Sequence, residues 1–237
     1  MIQFYINPRD VDSSGFITLK SMIDFLIEAA STDADAKGIG LSLIRKEELS
    51  WVLSGMAIEV YNKPSFGETI MIDTWIRKIN RIFSYRQFKV YNSEGEVIIE
   101  ASSTWSMIDL KERRLANITK HIDVSSLVDS RNIEIEDIKR INGNFDASGS
   151  VEHKVVYSDI DMNNHVTSSK YVEWMCDTLK KPFECASRLK RFDINFINEV
   201  RFDSIVEIDY LTEETAITFS LKDEKKTTLC NAMLILS

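Results

Sequence analysis

The chain contains 237 residues, of which 44% are apolar and 28% are charged, and its formal net charge is -8 at pH 7. This length and apolar content are sufficient to bury one large core or two smaller ones without disulfide bonds. The acidic balance argues against nucleic-acid binding through clustered cations, and the lack of any run of about 18 apolar residues argues against a transmembrane helix.

The first half of the chain is predicted to form one helix followed by antiparallel strands. Met22, Phe25, Leu26 and Ala29 recur at helical spacing. Runs rich in β-branched and aromatic residues follow, and segments rich in Asn, Gly and Pro separate them. These predicted strands cover residues 51–61, 69–76, 82–90 and 97–108.

Residues 119–148 are polar and are predicted to link two structural units. Within this linker, the charged stretch 134–140 favours a short helix, and Asn142-Gly143-Asn144 favours a turn. We therefore divide the chain into an N-terminal unit, residues 1–118, the linker, residues 119–148, and a C-terminal unit, residues 149–237.

The second half repeats the order of the first. A helix is predicted to begin near Thr167. One face of this helix, which extends as far as Thr178, is predicted to be buried. Segment 9–16 aligns with segment 158–165 at an offset of 149 residues, and segment 57–64 aligns with segment 193–200 at an offset of 136. The pattern predicts an α+β fold of two helix-plus-sheet units whose sheets join edge to edge. The predicted strands of the second unit lie near residues 188–198, 204–211, 216–221 and 227–236.

A polar motif directly precedes the second helix. Asp161, Asn163 and His165 occupy alternate residues. An imidazole can transfer protons, a carboxylate can orient or charge it, and an amide can donate to a carbonyl oxygen. In the first copy, Gly15 and Phe16 occupy the last two positions of the motif, so that copy lacks the imidazole. We therefore predict that only the C-terminal unit carries catalytic groups.

Glu199 is a fourth candidate. It ends an apolar strand at the position that Lys63 occupies in the first copy, and a carboxylate there can activate water. His121 lies in the linker, and His153 has no polar residues near it in the sequence that could assist it. We expect neither to take part in a reaction. Asp159 is expected to stabilise a turn. No residues have the spacing of a metal site or of a nucleotide phosphate loop, so we expect no metal and no bound cofactor.

The three cysteines, Cys176, Cys185 and Cys230, show neither a CxxC motif nor the spacing of a zinc site. They are expected to be small apolar fillers. The first residues, MIQFYINPRDVDSS, lack the apolar stretch of a signal peptide and the Arg/Ser-rich character of a transit peptide. We therefore expect the protein to lie in the reducing cytoplasm.

The sequence SDIDMNNHV at 158–166, followed by KYVEW at 170–174, closely resembles the signature of the acyl-ACP thioesterases, the plant plastidial enzymes and their bacterial relatives. The resemblance covers nearly the whole chain and includes INFINE at 194–199. It implies a double hotdog fold. It also implies hydrolysis of the thioester between a fatty acyl chain and acyl carrier protein, with the phosphopantetheine arm supplied by the substrate.

The resemblance further implies catalytic roles for the four candidate residues. Many plant members carry cysteine directly after the glutamate, whereas this chain has Val200, so we predict attack by water without a cysteinyl intermediate. His165 and Glu199 would activate the water. Asp161 would position or polarise the imidazole, and Asn163 would stabilise the oxyanion.

In this family the N-terminal unit holds the acyl chain, which implies an apolar tunnel there. The residues expected to line it are Met22, Phe25, Met56, Ile58 and Trp105.

Carrier protein is acidic, so a negatively charged enzyme needs a local basic patch to bind it. Lys190 and Arg191, which lie near the second helix in the sequence, are the candidates. Two alternative functions are an acyl-CoA thioesterase and a hotdog protein that binds acyl thioesters without cleaving them. One chain already supplies two units, so a monomer and a homodimer are both compatible with the sequence.

Overall fold

The computed structural model describes all residues from Met1 to Ser237 and contains five α-helices and eleven strands. The elements of the N-terminal unit are β1 (Ile2–Tyr5), α1 (Leu19–Ala36), α2 (Leu41–Glu47), β2 (Leu49–Val60), β3 (Thr69–Ile79), β4 (Phe83–Tyr91), β5 (Val97–Asp109), β6 (Arg114–Leu115) and α3 (Ile118–His121). Those of the C-terminal unit are β7 (Gly149–Lys154), α4 (Ser168–Asp177), α5 (Pro182–Arg188), β8 (Leu189–Phe196), β9 (Ile205–Thr212), β10 (Ala216–Lys222) and β11 (Thr228–Leu236).

The two long helices begin at equivalent points of the two units. Thr18 caps α1, and its side-chain oxygen accepts from the N–H of Ser21 over 3.1 Å, which satisfies a backbone donor that the helix leaves free. Thr167 occupies the same position before α4, so the predicted start of the second helix is confirmed. α1 has 18 residues and α4 has 10, a difference that accounts for most of the extra length in the first copy.

None of the helices combines the length and the apolar composition needed to cross a bilayer.

The strands form a single antiparallel sheet in the order β1-β3-β4-β5-β2-β8-β11-β10-β9-β7, with β6 paired to β5. Each unit contributes a contiguous half of this order, and the halves meet where β2 pairs with β8. The predicted strands are all present and the α+β class is confirmed. The sequence does not predict β1, α2 and α5, which span only 4, 7 and 7 residues and are too short for a clear periodicity.

The register of the β2–β8 junction is symmetric. Ala57 pairs with Asp193, Gly55 pairs with Asn195, and Glu59 pairs with Arg191. Residues 57 and 193 are also the positions that the sequence repeat equates, so the pairing looks the same from either unit. This is the geometry of a two-fold dimer interface, here formed within one chain.

The helices pack on one face of the sheet over a core of 39 buried residues drawn from both units, including Leu26 of α1 and Trp174 of α4. The linker covers part of the other face, where Ile133 and Ile135 pack against Trp75.

The prediction of a helix at 134–140 is wrong, because the linker has no regular secondary structure from 131 to 144. Its backbone instead binds side chains of β8. The N–H of Lys139 donates to Asp193 over 3.0 Å, and the N–H of Ile141 donates to Asn195 over 2.9 Å. Backbone donors that are satisfied by the sheet in this way are not available for a helical ladder.

Candidate active site

Residues 161–165 form a tight turn immediately before α4. The N–H of Asp161 donates to the carbonyl of His165 over 2.8 Å, and the N–H of Asn164 donates to the carbonyl of Asp161 over 3.1 Å. Asn164 has a φ of 65°, a left-handed conformation that Asn adopts more readily than most residues. The turn therefore fixes the backbone of His165.

The carboxylate of Asp161 stabilises this turn from the inside. It accepts from the N–H of Asn163 over 2.8 Å and from the N–H of His165 over 3.1 Å. Asp161 makes no hydrogen bond with the imidazole, since its hydrogen bonds go to these backbone groups and to the amide of Asn163 at 3.4 Å. Asn163 is exposed, so its amide is accessible to a bound ligand.

The N-terminal unit contains the same turn with different side chains. The N–H of Asp12 donates to the carbonyl of Phe16 over 3.0 Å, and the N–H of Gly15 donates to the carbonyl of Asp12 over 3.0 Å. Gly15 has a φ of 82° at the position of Asn164. Phe16 stands at the position of His165, so the first copy keeps the scaffold and lacks a group that transfers protons.

His165 and Glu199 meet at the site. The N–H of Val166 donates to the carbonyl of Val200 over 3.0 Å, which holds the turn against the segment that follows β8. Nε2 of His165 then lies 3.1 Å from Oε2 of Glu199, and the two side chains are 24% and 34% exposed. The imidazole and the carboxylate are therefore in contact at a place that solvent can still reach.

Glu199 lines an open cleft of about 600 Å³. Its charged lining residues are Glu199, Arg113, Arg201 and Asp223, and its apolar lining includes Ile197. The cleft therefore combines charged groups with an apolar wall. Of the predicted catalytic residues, Glu199 is thus the one that lines the cleft, and His165 contacts it directly.

Arg113 is the one functional candidate that sequence reasoning misses. Its Nη2 donates to Oε2 of Glu199 over 3.2 Å, although the two residues lie 86 positions apart and belong to different units. Arg113 sits in a surface turn within a basic cluster that resembles ordinary solvated charge. No local pattern in the sequence indicates the contact.

Lys63 is the counterpart of Glu199. The N–H of Ile17 donates to the carbonyl of Pro64 over 3.0 Å, which places Lys63 where the C-terminal unit has Glu199. Burial lowers the pKa of Lys63, Asp12 raises it, and the nearby cation of Lys190 lowers it further. Lys190 is exposed, and its docking role stays a prediction.

Arg191 also contradicts the prediction of a docking residue, because it is only 5% exposed. Its Nε and Nη2 donate to Asp193 over 2.7 and 2.9 Å, and its Nη1 donates to Glu59 over 2.7 Å. Its Nη2 also donates to the carbonyls of Glu136 and Asp137 in the linker. Arg191 therefore holds the junction of the units and cannot present a cation to a carrier protein.

His153 has a polar partner that the sequence does not indicate. Its Nε2 lies 3.2 Å from Oδ2 of Asp159, and its ring packs on Trp174 at a centroid distance of 4.3 Å. Asp159 is buried and accepts from the N–H of Val156 over 2.9 Å, which is the expected turn role. These contacts tie β7 to α4.

The predicted acyl-binding residues lie in or against the main core. Met22, Met56 and Ile58 are fully buried there. Phe25 is half-buried and stacks on Phe4 at 4.8 Å. Trp105, also half-buried, donates from Nε1 to the hydroxyl of Ser103 over 2.7 Å. None of the five lines the cleft beside Glu199.

The three cysteines are free thiols. Burial raises the pKa of Cys176 to about 12 and raises the pKa of Cys185 and of Cys230 as well. Val200, directly after Glu199, is buried.

Comparison with known protein families matches both units. Residues 1–125 match the model described as acyl-ACP thioesterase N-terminal domain, and residues 143–234 match the model described as acyl-ACP thioesterase C-terminal domain.

Oleoyl-acyl carrier protein thioesterase 1 of Arabidopsis thaliana is 25% identical over 232 residues, covering 90% of this chain and 63% of its own length. The acyl-[acyl-carrier-protein] hydrolase FATB3 of Cuphea viscosissima is 29% identical over 168 residues, 68% of this chain and 41% of its own length. The chain thus spans less than two thirds of these curated relatives.

Solved structures match the whole chain. An acyl-ACP thioesterase from Bacteroides thetaiotaomicron superimposes with a TM-score of 0.88 at 27% identity, covering 100% of this chain and 96% of that one. The 12:0-ACP thioesterase from Umbellularia californica superimposes with a TM-score of 0.87 at 20% identity and the same coverage, which supports the fold alone.

Proposed function

The chain belongs to the acyl-ACP thioesterase family, and from this premise we propose that it hydrolyses the thioester between a fatty acyl chain and acyl carrier protein, releasing free fatty acid and holo carrier. The family and the double hotdog fold predicted from the sequence are both confirmed. The activity itself rests on the site of this chain, because the curated relatives are longer than the region they share with it.

The contact between Nε2 of His165 and Oε2 of Glu199, 3.1 Å apart beside an open cleft, carries this proposal. Glu199 is the base that takes a proton from water, and the water oxygen attacks the carbonyl carbon of the thioester. The tetrahedral intermediate collapses with breakage of the C–S bond. The proton passes to the departing thiolate, so that the products are a fatty acid and the carrier thiol.

His165 assists by holding Glu199. With the proton on Nε2, the imidazole donates to the carboxylate and keeps it within the cleft. The exposed amide of Asn163 is the side-chain donor proposed for the oxyanion. Asp161 acts on the site through the backbone turn that it stabilises.

The state of the thiols supports direct attack by water. Burial raises the pKa of all three cysteines, so each is protonated at neutral pH and is a poor nucleophile. Free thiols also suit a reducing compartment, and location in the cytoplasm is part of the proposal.

We place the acyl chain between α1 and the sheet of the N-terminal unit, among Met22, Phe25, Met56, Ile58 and Trp105. The support for this is their apolar character together with the flexibility of the two methionines, which can move aside for a ligand more readily than branched residues.

The test is hydrolysis of acyl-ACP donors of short, medium and long chain by the wild type and by His165→Ala and Glu199→Gln. Each substitution should lower kcat/KM by about 10²–10⁴-fold, because Glu199 takes the proton of the water and His165 holds Glu199 in place. Lys63→Ala, at the counterpart of Glu199, is the matched control and should keep the activity. Substituting Met22 by Trp should shift the preferred donor toward shorter chains.

The same donors attached to CoA distinguish the alternatives. Higher kcat/KM with acyl-CoA than with acyl-ACP would identify an acyl-CoA thioesterase. Tight binding of acyl-ACP without turnover, unaffected by His165→Ala, would instead identify a binding protein and would falsify the proposed hydrolysis.

A further inference from the structure

A charged side chain from the N-terminal unit reaches into the site of the C-terminal unit. Arg113 lies in the turn between β5 and β6, and its Nη2 donates to Glu199 over 3.2 Å. Glu199 is the sole ion-pair partner of Arg113. The N-terminal unit therefore contacts the proposed base directly.

The two contacts of Glu199 fall on the same oxygen. Nε2 of His165 lies 3.1 Å from Oε2, and Nη2 of Arg113 lies 3.2 Å from that same atom. Oε1 makes no hydrogen bond within the protein, so it is free to accept from a ligand or a water molecule. Because both side chains contact one oxygen, they restrict the orientation of the carboxylate and leave the other oxygen available for reaction.

The turn that carries Arg113 is well defined. Asp109 accepts from the N–H of Lys111 and of Glu112, each over 2.9 Å. Arg113 itself has a φ of 50°, an unusual value for a residue other than glycine. These contacts and this backbone conformation direct Arg113 toward the neighbouring unit.

The ion pair between Arg113 and Glu199 is too exposed to stabilise the fold appreciably. The side chain of Arg113 is 57% exposed and that of Glu199 is 34% exposed, and ion pairs of such exposure add little to stability. The neighbouring cations are engaged elsewhere, since Lys111 pairs with Glu48 and Arg114 lies 4.0 Å from Glu112. Contact with the proposed base is therefore specific to Arg113 within this cluster.

We propose that Arg113 is a positioning residue of this active site, which keeps the carboxylate of Glu199 turned toward His165. This inference rests on the proposed function. The planar guanidinium fixes direction better than an ammonium does. The N-terminal unit thus completes the reaction centre in addition to holding the acyl chain.

The variants Arg113→Ala and Arg113→Lys test the proposal, with Arg114→Ala as the matched neighbour. The measurements are kcat and KM for acyl-ACP. The charged groups nearest Glu199 are His165 and Arg113 by contact, with Arg201 and Asp223 across the cleft.

Arg113→Ala should lower kcat about tenfold with little change in KM, because the base is present but poorly oriented. Arg113→Lys should restore only part of kcat, because it keeps the charge and loses the planar group that fixes the direction of the contact. Arg114→Ala should leave kcat within about twofold of the wild type.

Three outcomes overturn the proposal. A higher KM for acyl-ACP with kcat unchanged would make Arg113 a docking residue. Equal effects of Arg113→Ala and Arg114→Ala would reduce the contact to general surface charge. A wild type that hydrolyses no acyl thioester refutes the proposed function together with this inference, whereas an active wild type matched by Arg113→Ala refutes the inference alone.

Discussion

At the scale of single residues, the proposed reaction centre is the carboxylate of Glu199, which two side chains contact. His165 approaches Glu199 from the turn before α4, and Arg113 approaches from the other unit. In the N-terminal unit the corresponding positions hold Phe16 and Lys63, which offer neither an imidazole nor a carboxylate. A few side chains therefore decide which of two similar scaffolds can perform chemistry.

The cysteines give a prediction at this scale. Because burial raises the pKa of Cys176, Cys185 and Cys230 above the working pH, the thiols stay protonated and react slowly. Treatment with iodoacetamide at about pH 7.5 should leave most of the acyl-ACP hydrolysis intact, with intact-mass measurement reporting how many thiols are modified. Loss of activity in proportion to one alkylated cysteine, or a trapped acyl-cysteine, would contradict direct attack by water.

At the scale of elements, the turn before each long helix is the repeated device. Both turns contain a carboxylate that accepts from backbone N–H groups, Asp161 in one unit and Asp12 in the other. Both also contain a residue of positive φ, Asn164 or Gly15. The turn fixes the residue that follows, which is His165 in the C-terminal unit.

This equivalence predicts different consequences of the same substitution. Asp161→Ala and Asp12→Ala should each lower Tm by roughly 2–4 °C, because each removes about 1 kcal/mol of turn hydrogen bonding. Only Asp161→Ala should lower kcat, by about 10- to 100-fold, because only that turn positions the imidazole.

Asp161→Asn separates a positioning role from a charge effect. Its amide oxygen can still accept from the backbone N–H groups of the turn, so kcat should stay within about fivefold of the wild type. Loss of activity as large as that of Asp161→Ala would show that the charge of Asp161 acts on His165.

At the scale of the whole molecule, the β2–β8 junction joins the two units as a two-fold interface joins a dimer. Ala57 and Asp193 pair at its centre. Asp193 is fully buried and is paired with Arg191, which also binds Glu59 across the junction. The junction fixes how the units lie relative to each other, and the contact between Arg113 and Glu199 depends on that arrangement.

Arg191→Ala should therefore destabilise the whole fold. Removal of one member of a buried ion pair leaves Asp193 without its partner and costs about 3 kcal/mol, which lowers Tm by roughly 6–12 °C. Thermal unfolding measures this loss, and the exposed neighbour substitution Lys190→Ala should shift Tm by no more than about 1–2 °C. An unchanged Tm combined with a raised KM for acyl-ACP would instead restore Arg191 as a docking residue.

The sequence by itself determined the features that depend on local pattern. Helical spacing and β-type runs predicted the long helix of each unit and the four strands that follow it, and the repeat predicted two like units. The motif at 161–165 identified the family, because its spacing of polar residues before a helix is distinctive.

Tertiary structure alone decided which distant side chains meet. Arg191 is buried because the two-fold junction brings Glu59, Asp193 and the linker around it. The linker at 134–140 is not helical, because side chains of β8 satisfy its backbone. Arg113 reaches Glu199 across 86 positions because the sheets of both units are continuous. Such contacts follow from long-range strand pairing, and hydrophobic periodicity, which describes only neighbouring residues, does not encode them.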